Sequence, residues 1–255
     1  MRTVSSRLGT MALVCSSLAA GPAWAHRPTF GQGHPTALTA YPVEDVDISI
    51  VVYEPLTCDS DALWMRFEAV AGKELYFQLG VPEIERLAGE RPAIALLAPG
   101  LPPVDLPFDV PAGLGGMVWR ADDVAQPGTF FEPFTQTSSW VWVEQRVTLP
   151  ADGLGYLVAW NPDHTTGKVW IAVGEVEDFA GVDPAEFGSW NQQVNDFHET
   201  GLFSSPPTEP EVDCSIVEET AVEVTTGGCA VGTVAPWWAG LLGVGLVARR
   251  RPRPR

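Results

Sequence analysis

Gly155-Tyr156-Leu157-Val158-Ala159-Trp160, then Asn161-Pro162-Asp163-His164-Thr165-Thr166-Gly167, then Lys168-Val169-Trp170-Ile171-Ala172-Val173, decide the fold class. Two short runs rich in β-branched and aromatic residues flank a segment of turn formers, which reads as strand, turn, strand: a hairpin. Val169, Ile171 and Val173 alternate onto one face, as a strand requires. The same signature recurs outward along the chain. Val46–Tyr53, Leu63–Val70, Glu74–Leu79, Ala93–Leu97, Gly116–Trp119, Ser139–Val143 and Arg146–Leu149 are short apolar runs set between Pro, Gly and Asp turns, with Leu75, Phe77 and Leu79 sharing a face. Many short strands at turn-punctuated spacing predict a mainly β domain over residues 41–201, an antiparallel β-sandwich or jelly-roll-like body.

One amphipathic helix closes that domain. Asp183 caps it, Pro184 suits its first turn and Gly201 ends it. Phe187, Trp190, Val194 and Phe197 form a single apolar stripe that packs on the sandwich. Residues 155–173 resemble the closing hairpin of pre-peptidase C-terminal-type β-sandwiches, which implies a noncatalytic secreted module.

The two ends predict export. Arg2 and Arg7 precede the apolar stretch Met11 to Ala20, and Ala23-Trp24-Ala25 offers the small-x-small pattern of a signal-peptidase site. Residues 1–25 are therefore read as a signal peptide that leaves His26 first, ahead of an N-terminal segment over 26–40. Cys15 is not read as a lipidation site, because Val14 stands where a small residue is wanted. At the other end, residues 230–248 carry no charge and are long enough for a single transmembrane helix. Arg249, Arg250, Arg251, Arg253 and Arg255 follow, a cytoplasmic tail over 249–255 that leaves the preceding domain facing outward. Residues 205–228, rich in Pro, Thr and acidic residues, are expected to form an extended stalk.

Gly227-Gly228-Cys229, the apolar run and the arginine block resemble the MYXO-CTERM class of C-terminal sorting tails. The resemblance implies a sorting enzyme as partner, processing near Cys229 and delivery to the cell surface. After signal removal Cys58, Cys214 and Cys229 remain. Two pairings stay open: Cys58 with Cys214, leaving Cys229 to the sorting motif, or Cys214 with Cys229.

All 32 acidic residues lie between these ends, against only eight basic ones, so the displayed part is strongly anionic and nucleic acid is excluded as a partner. The acidic pairs Asp45 with Asp47, Asp59 with Asp61 and Asp122 with Asp123 raise calcium, but they lack the loop pattern of a calcium site and read as solvated turns. Trp140 and Trp142, two apart in a strand, are a candidate platform for stacking a glycan. No nucleophile elbow, metalloprotease motif or phosphate loop is present. The remaining chemistry lies with histidine. If His26 becomes the first residue, its α-amino group and imidazole form a bidentate nitrogen donor, and His34 or His164 would complete a set suited to copper. Secreted sandwiches with an N-terminal histidine include copper oxygenases and copper carriers, a similarity that implies a copper-dependent alternative to the binding or structural module expected first.

Overall fold

A computed structural model describes residues 26–31, 33–204 and 212–214. The signal segment, the 230–248 run, the arginine block and the sorting motif at Gly228 and Cys229 lie outside the described residues. Among the described residues no helix is long and apolar enough to cross a membrane.

Two sheets build the domain. One has six strands: β1 (Arg27–Phe30), β3 (Ile50–Leu56), β5 (Glu74–Pro82), β8 (Gly128–Glu132), β9 (Thr137–Thr148) and β11 (Gly167–Val173), in the order β1-β3-β11-β5-β9-β8. The other has five: β2 (Tyr41–Val43), β4 (Ala62–Ala69), β6 (Ala93–Ala98), β7 (Gly115–Arg120) and β10 (Gly153–Trp160), in the order β2-β4-β10-β6-β7. Pairing is antiparallel except for β1 with β3 and β2 with β4 at the two edges. The predicted mainly β sandwich with one helix is what forms.

Leu75, Phe77 and Leu79 meet Val169, Ile171 and Val173 in the core between the sheets, with Leu63, Met65, Ile94, Leu96 and Leu157 facing them. The outer faces are covered as well. Trp64, Leu97, Tyr156, Val158 and Trp160 lie under a proline-rich loop whose Val104, Leu106, Phe108 and Val110 press onto them. Phe108 stands edge-on to Trp64 and Trp160, at 5.0 and 5.2 Å. On the far side Val51, Tyr53, Trp170 and Ala172 lie under the helix α1 (Pro184–Phe197).

This double burial overturns the predicted hairpin. β10 and β11 form where the sequence places them, but they do not pair. β10 lies between β4 and β6, and β11 between β3 and β5. A half-solvated hairpin alternates apolar and polar side chains. Tyr156 to Trp160 is instead buried at every position, as a strand central to its sheet and covered on both faces must be. Residues 161–166 therefore arch across the roughly 10 Å gap between sheets rather than turning within one.

Two further boundaries move. The 26–40 segment is not outside the domain: Arg27–Phe30 pairs with Ile50–Tyr53, and Pro28 is accommodated because β1 is an edge strand. The runs predicted at 139–143 and 146–149 belong to one strand, β9, with a register shift opposite Leu79 and Gly80. Of the segment expected as a stalk only residues 212–214 are described, and they are held to the domain at the 161–166 arch. Thr166 donates its amide to the Val212 carbonyl at 2.9 Å, Cys214 does the same to His164 at 3.0 Å, and Cys214 is joined to Cys58 by a disulfide. That settles the open pairing and clamps the chain to the end of the sandwich where two inter-sheet connections cross.

The disulfide closes a separation of 156 residues, so it removes much of the unfolded chain's freedom. The C58S/C214S double variant is expected to lose roughly 2–5 kcal/mol of unfolding free energy. Urea unfolding of both forms without reductant checks this; equal midpoints would show the clamp to be without effect.

Candidate functional site

The helix forms as the sequence prescribes at its start and departs at its end. Asp183 Oδ1 accepts the Ala185 amide at 2.9 Å and Pro184 occupies the first turn. At the far end Glu199, not Gly201, takes the left-handed conformation that closes the helix, with φ 54°. The Glu199 and Thr200 amides donate back to the Asp196 and Asn195 carbonyls, each at 3.2 Å. Glu199 tolerates this conformation because its carboxylate is held between Arg86 and Lys168, the latter at 2.8 Å. Burial alone would raise the Glu199 pKa, but the hydrogen bonds from Arg86 and Lys168 outweigh it and hold the carboxylate below its ordinary value.

A chain of buried hydrogen bonds joins this helix end to the six-stranded sheet. Trp170 Nε1 lies 3.1 Å from Ser139 Oγ, Ser139 Oγ lies 3.0 Å from His198 Nε2, and His198 Nδ1 lies 2.8 Å from the Val194 carbonyl. Burial lowers the His198 pKa to about 4, an effect that the nearby Lys168 charge reinforces and the Val194 hydrogen bond opposes. At neutral pH the ring is therefore uncharged, and the donor directions follow. A carbonyl can only accept, so Nδ1 carries the proton and Nε2 accepts. Ser139 then donates to Nε2 and accepts from the indole. Gly80 makes room for this arrangement, since a Cβ there would overlap the Trp170 ring.

Beside this chain lies a cavity of about 300 Å³ between α1 and the sheet. Val51, Tyr53 and Trp170 form its floor, and Phe187, Trp190 and Val194 of α1 form its roof. Phe134 and Phe179 both contact Phe187, at 6.0 and 5.9 Å, and close one side. Polar groups are few: the Thr135–Thr137 hydroxyl pair at 2.8 Å, the Ser139–His198 contact, His26, and the carboxylates of Glu132 and Glu177. Among the described residues no lysine or arginine lines it. Size and lining match a small-molecule pocket, mostly apolar with a few convergent polar groups.

His26 enters this site from β1's leading end. Its Nδ1 meets Ser49 Oγ at 2.5 Å, and its ring lies 6.2 Å from Phe130. Burial lowers its pKa to about 4, against the opposing pull of Glu177. The other two histidines of the copper set lie elsewhere. His34 Nδ1 contacts the Thr39 carbonyl at 2.5 Å, with its ring 5.8 Å from Tyr41. His164 sits at the arch, with φ 54° and its carbonyl bound by Cys214. Among the described residues no group of three or more His, Cys, Asp and Glu is placed to hold a metal ion. Asp45 Oδ1 accepts the Asp47 amide at 2.9 Å, a local turn, and Asp47 pairs with Lys73.

The tryptophan platform is also corrected. Trp142 is 6% exposed, lies in the inter-sheet core and is capped by Arg91 4.5 Å from its ring centre. Trp140 is half-buried against the same core. Period-two spacing does put both rings on one face, but that face packs into the inter-sheet core, so they make no exposed flat pair. Ser139 and His198 were missed as neighbours because they lie 59 residues apart and no local pattern links a strand serine to a helix-end histidine. The helix stripe did give part of the roof.

No protein-family model matches the chain, and comparison with curated proteins finds no match. Among solved structures, the pre-peptidase C-terminal domain of a collagenase from Bacillus anthracis aligns over 52% of this chain and 91% of that one, at 10% identity and a TM-score of 0.27. So loose a superposition transfers neither fold detail nor function.

The depressed His198 pKa has a sign that can be tested. The native state keeps the ring neutral down to about pH 4, whereas the unfolded chain takes up a proton near 6.5. Between those values the unfolded state binds more protons, so stability falls as pH falls. His198→Gln is expected to cost about 1–3 kcal/mol at pH 7 through lost hydrogen bonds. Its deficit relative to the parent should shrink by up to about 3 kcal/mol as pH approaches 4. Parallel urea titrations at pH 7, 5.5 and 4.5 check this; a constant deficit would mean that His198 titrates alike in both states.

Proposed function

We propose that this chain is an exported, membrane-held module that displays its sandwich outside the cell and captures a small ligand in the cavity under α1. The observation that carries the reading is the cavity itself: preformed, aromatic, and furnished with a few fixed polar groups between a rigid sheet and one helix. The signal-like start, the 230–248 run and the arginine block supply the topology. The sorting tail supplies the partner, an enzyme that processes the chain near Cys229.

Binding rather than nucleophilic catalysis fits the site best. The Ser139–His198 contact has the spacing of the first half of a catalytic dyad. Ser139, however, already accepts the Trp170 indole proton and is buried near the start of β9, where its backbone is paired to Pro82 on one side and Phe130 on the other. A nucleophile needs amides aimed at the developing oxyanion, and here strands flank the serine on both sides. The contact pins the helix to the sheet.

Two outcomes are expected. Protease added to intact cells should release the sandwich; protection that is lost only when every membrane is opened would contradict display. Benzyl alcohol should give saturation-transfer signals with the full mature chain in phosphatidylcholine nanodiscs, above those from empty nanodiscs. Val51→Phe, which fills the cavity floor, should remove them. A signal unchanged by this substitution would place binding elsewhere.

A further inference from the structure

We propose that the ligand of this cavity is an organic cation, an ammonium group carried on a small apolar body. The proposal rests on the cavity being a binding site and adds the charge of what it takes. Aromatic rings present a negative face, so a cage of them favours a desolvated cation over a neutral group of equal shape. Phe134, Phe179, Phe187 and Trp190 form such a cage along one side and the roof.

The charged lining has a single sign. Glu132 and Glu177 are its acidic members, and among the described residues neither lysine nor arginine joins them. Lys168 and Arg86 are engaged by Glu199 at the far end of the helix. The two histidines add no positive charge at neutral pH, because burial keeps both rings uncharged. Glu132 is oriented from its own strand end, with Oε1 accepting the Phe134 amide at 3.0 Å. Burial, with Glu177 adding to it, raises the Glu132 pKa. An arriving ammonium relieves both effects, by pairing the carboxylate and offsetting its neighbour.

The size fits one ring or a short branched chain. About 300 Å³ stands at the lower end of small-molecule pockets. The ammonium belongs where the glutamates and the aromatic side meet, and the apolar body over Val51 and Trp170 of the floor.

Three single-ring probes test this on the full mature chain in phosphatidylcholine nanodiscs, by calorimetry against empty nanodiscs: benzyltrimethylammonium, benzyl alcohol and phenylacetate. The cation should bind at least about tenfold more tightly than the alcohol, and phenylacetate most weakly. Glu132→Gln should erase most of the cation's advantage over benzyl alcohol. Glu177→Gln should do the same in part, and it serves as the readout should the first variant fail to fold. Equal affinity for cation and alcohol, or a cation preference that survives both substitutions, overturns the charge assignment while leaving the cavity a binding site. If none of the probes binds, the binding reading falls and this inference with it.

Discussion

The hydrogen-bond chain from Trp170 through Ser139 and His198 to the Val194 carbonyl joins three stretches of backbone that are distant in sequence: β11, β9 and the end of α1. Each link is buried, so leaving any donor or acceptor unmet would cost about 1–3 kcal/mol. That penalty fixes the height and rotation of the helix over the sheet. Val194 and Phe197 come down onto Tyr53 and Trp170 at the pinned end, and the helix stands off the sheet toward Phe187, where the cavity opens. The Arg86–Glu199–Lys168 cluster closes the same helix end and locks a residue that would otherwise avoid its left-handed backbone. Site and closure thus share one fixed point.

The sandwich supplies the rigid floor on which that point is set. With the inter-sheet core on one side, a proline-rich loop covering one outer face and α1 the other, the central strands β10 and β11 are buried on both sides. A helix laid on such a sheet meets a surface that hardly yields, because close-packed cores resist local deformation. The Cys58–Cys214 disulfide fixes Cys214 to the connection between β3 and β4, at the end of the sandwich where the chain crosses between sheets.

The sequence showed class and elements well because local patterns report local burial. The stripe Phe187, Trp190, Val194, Phe197 gave the helix and its buried face, and Asp183 with Pro184 gave its start. The run Tyr156 to Trp160 gave a strand but not its partner. Continuous apolarity reports burial on both faces, and what covers the second face, here the loop around Phe108, is a tertiary fact. The short edge strand at Arg27–Phe30 was hidden by Pro28 and by its lack of apolar alternation. The platform at Trp140 and Trp142 fails because the face they share is the one turned to the inter-sheet core, and spacing alone does not say which face is covered. The cavity under α1 was least legible of all. Its serine, histidines and glutamates come from five separate segments, and only the closed fold brings them together.

The central claim is that the buried chain through Ser139 and His198 sets the helix and with it the cavity. Amide hydrogen exchange on the full mature chain, compared between the parent and Ser139→Ala, tests it most directly. The account predicts faster exchange across 186–198, by about one to two orders of magnitude for the loss of roughly 1–3 kcal/mol, with the strands β4, β6 and β10 of the other sheet unchanged. Unaltered protection of the helix, or a uniform loss over both sheets, would show that the helix is held by something other than this hydrogen-bond chain.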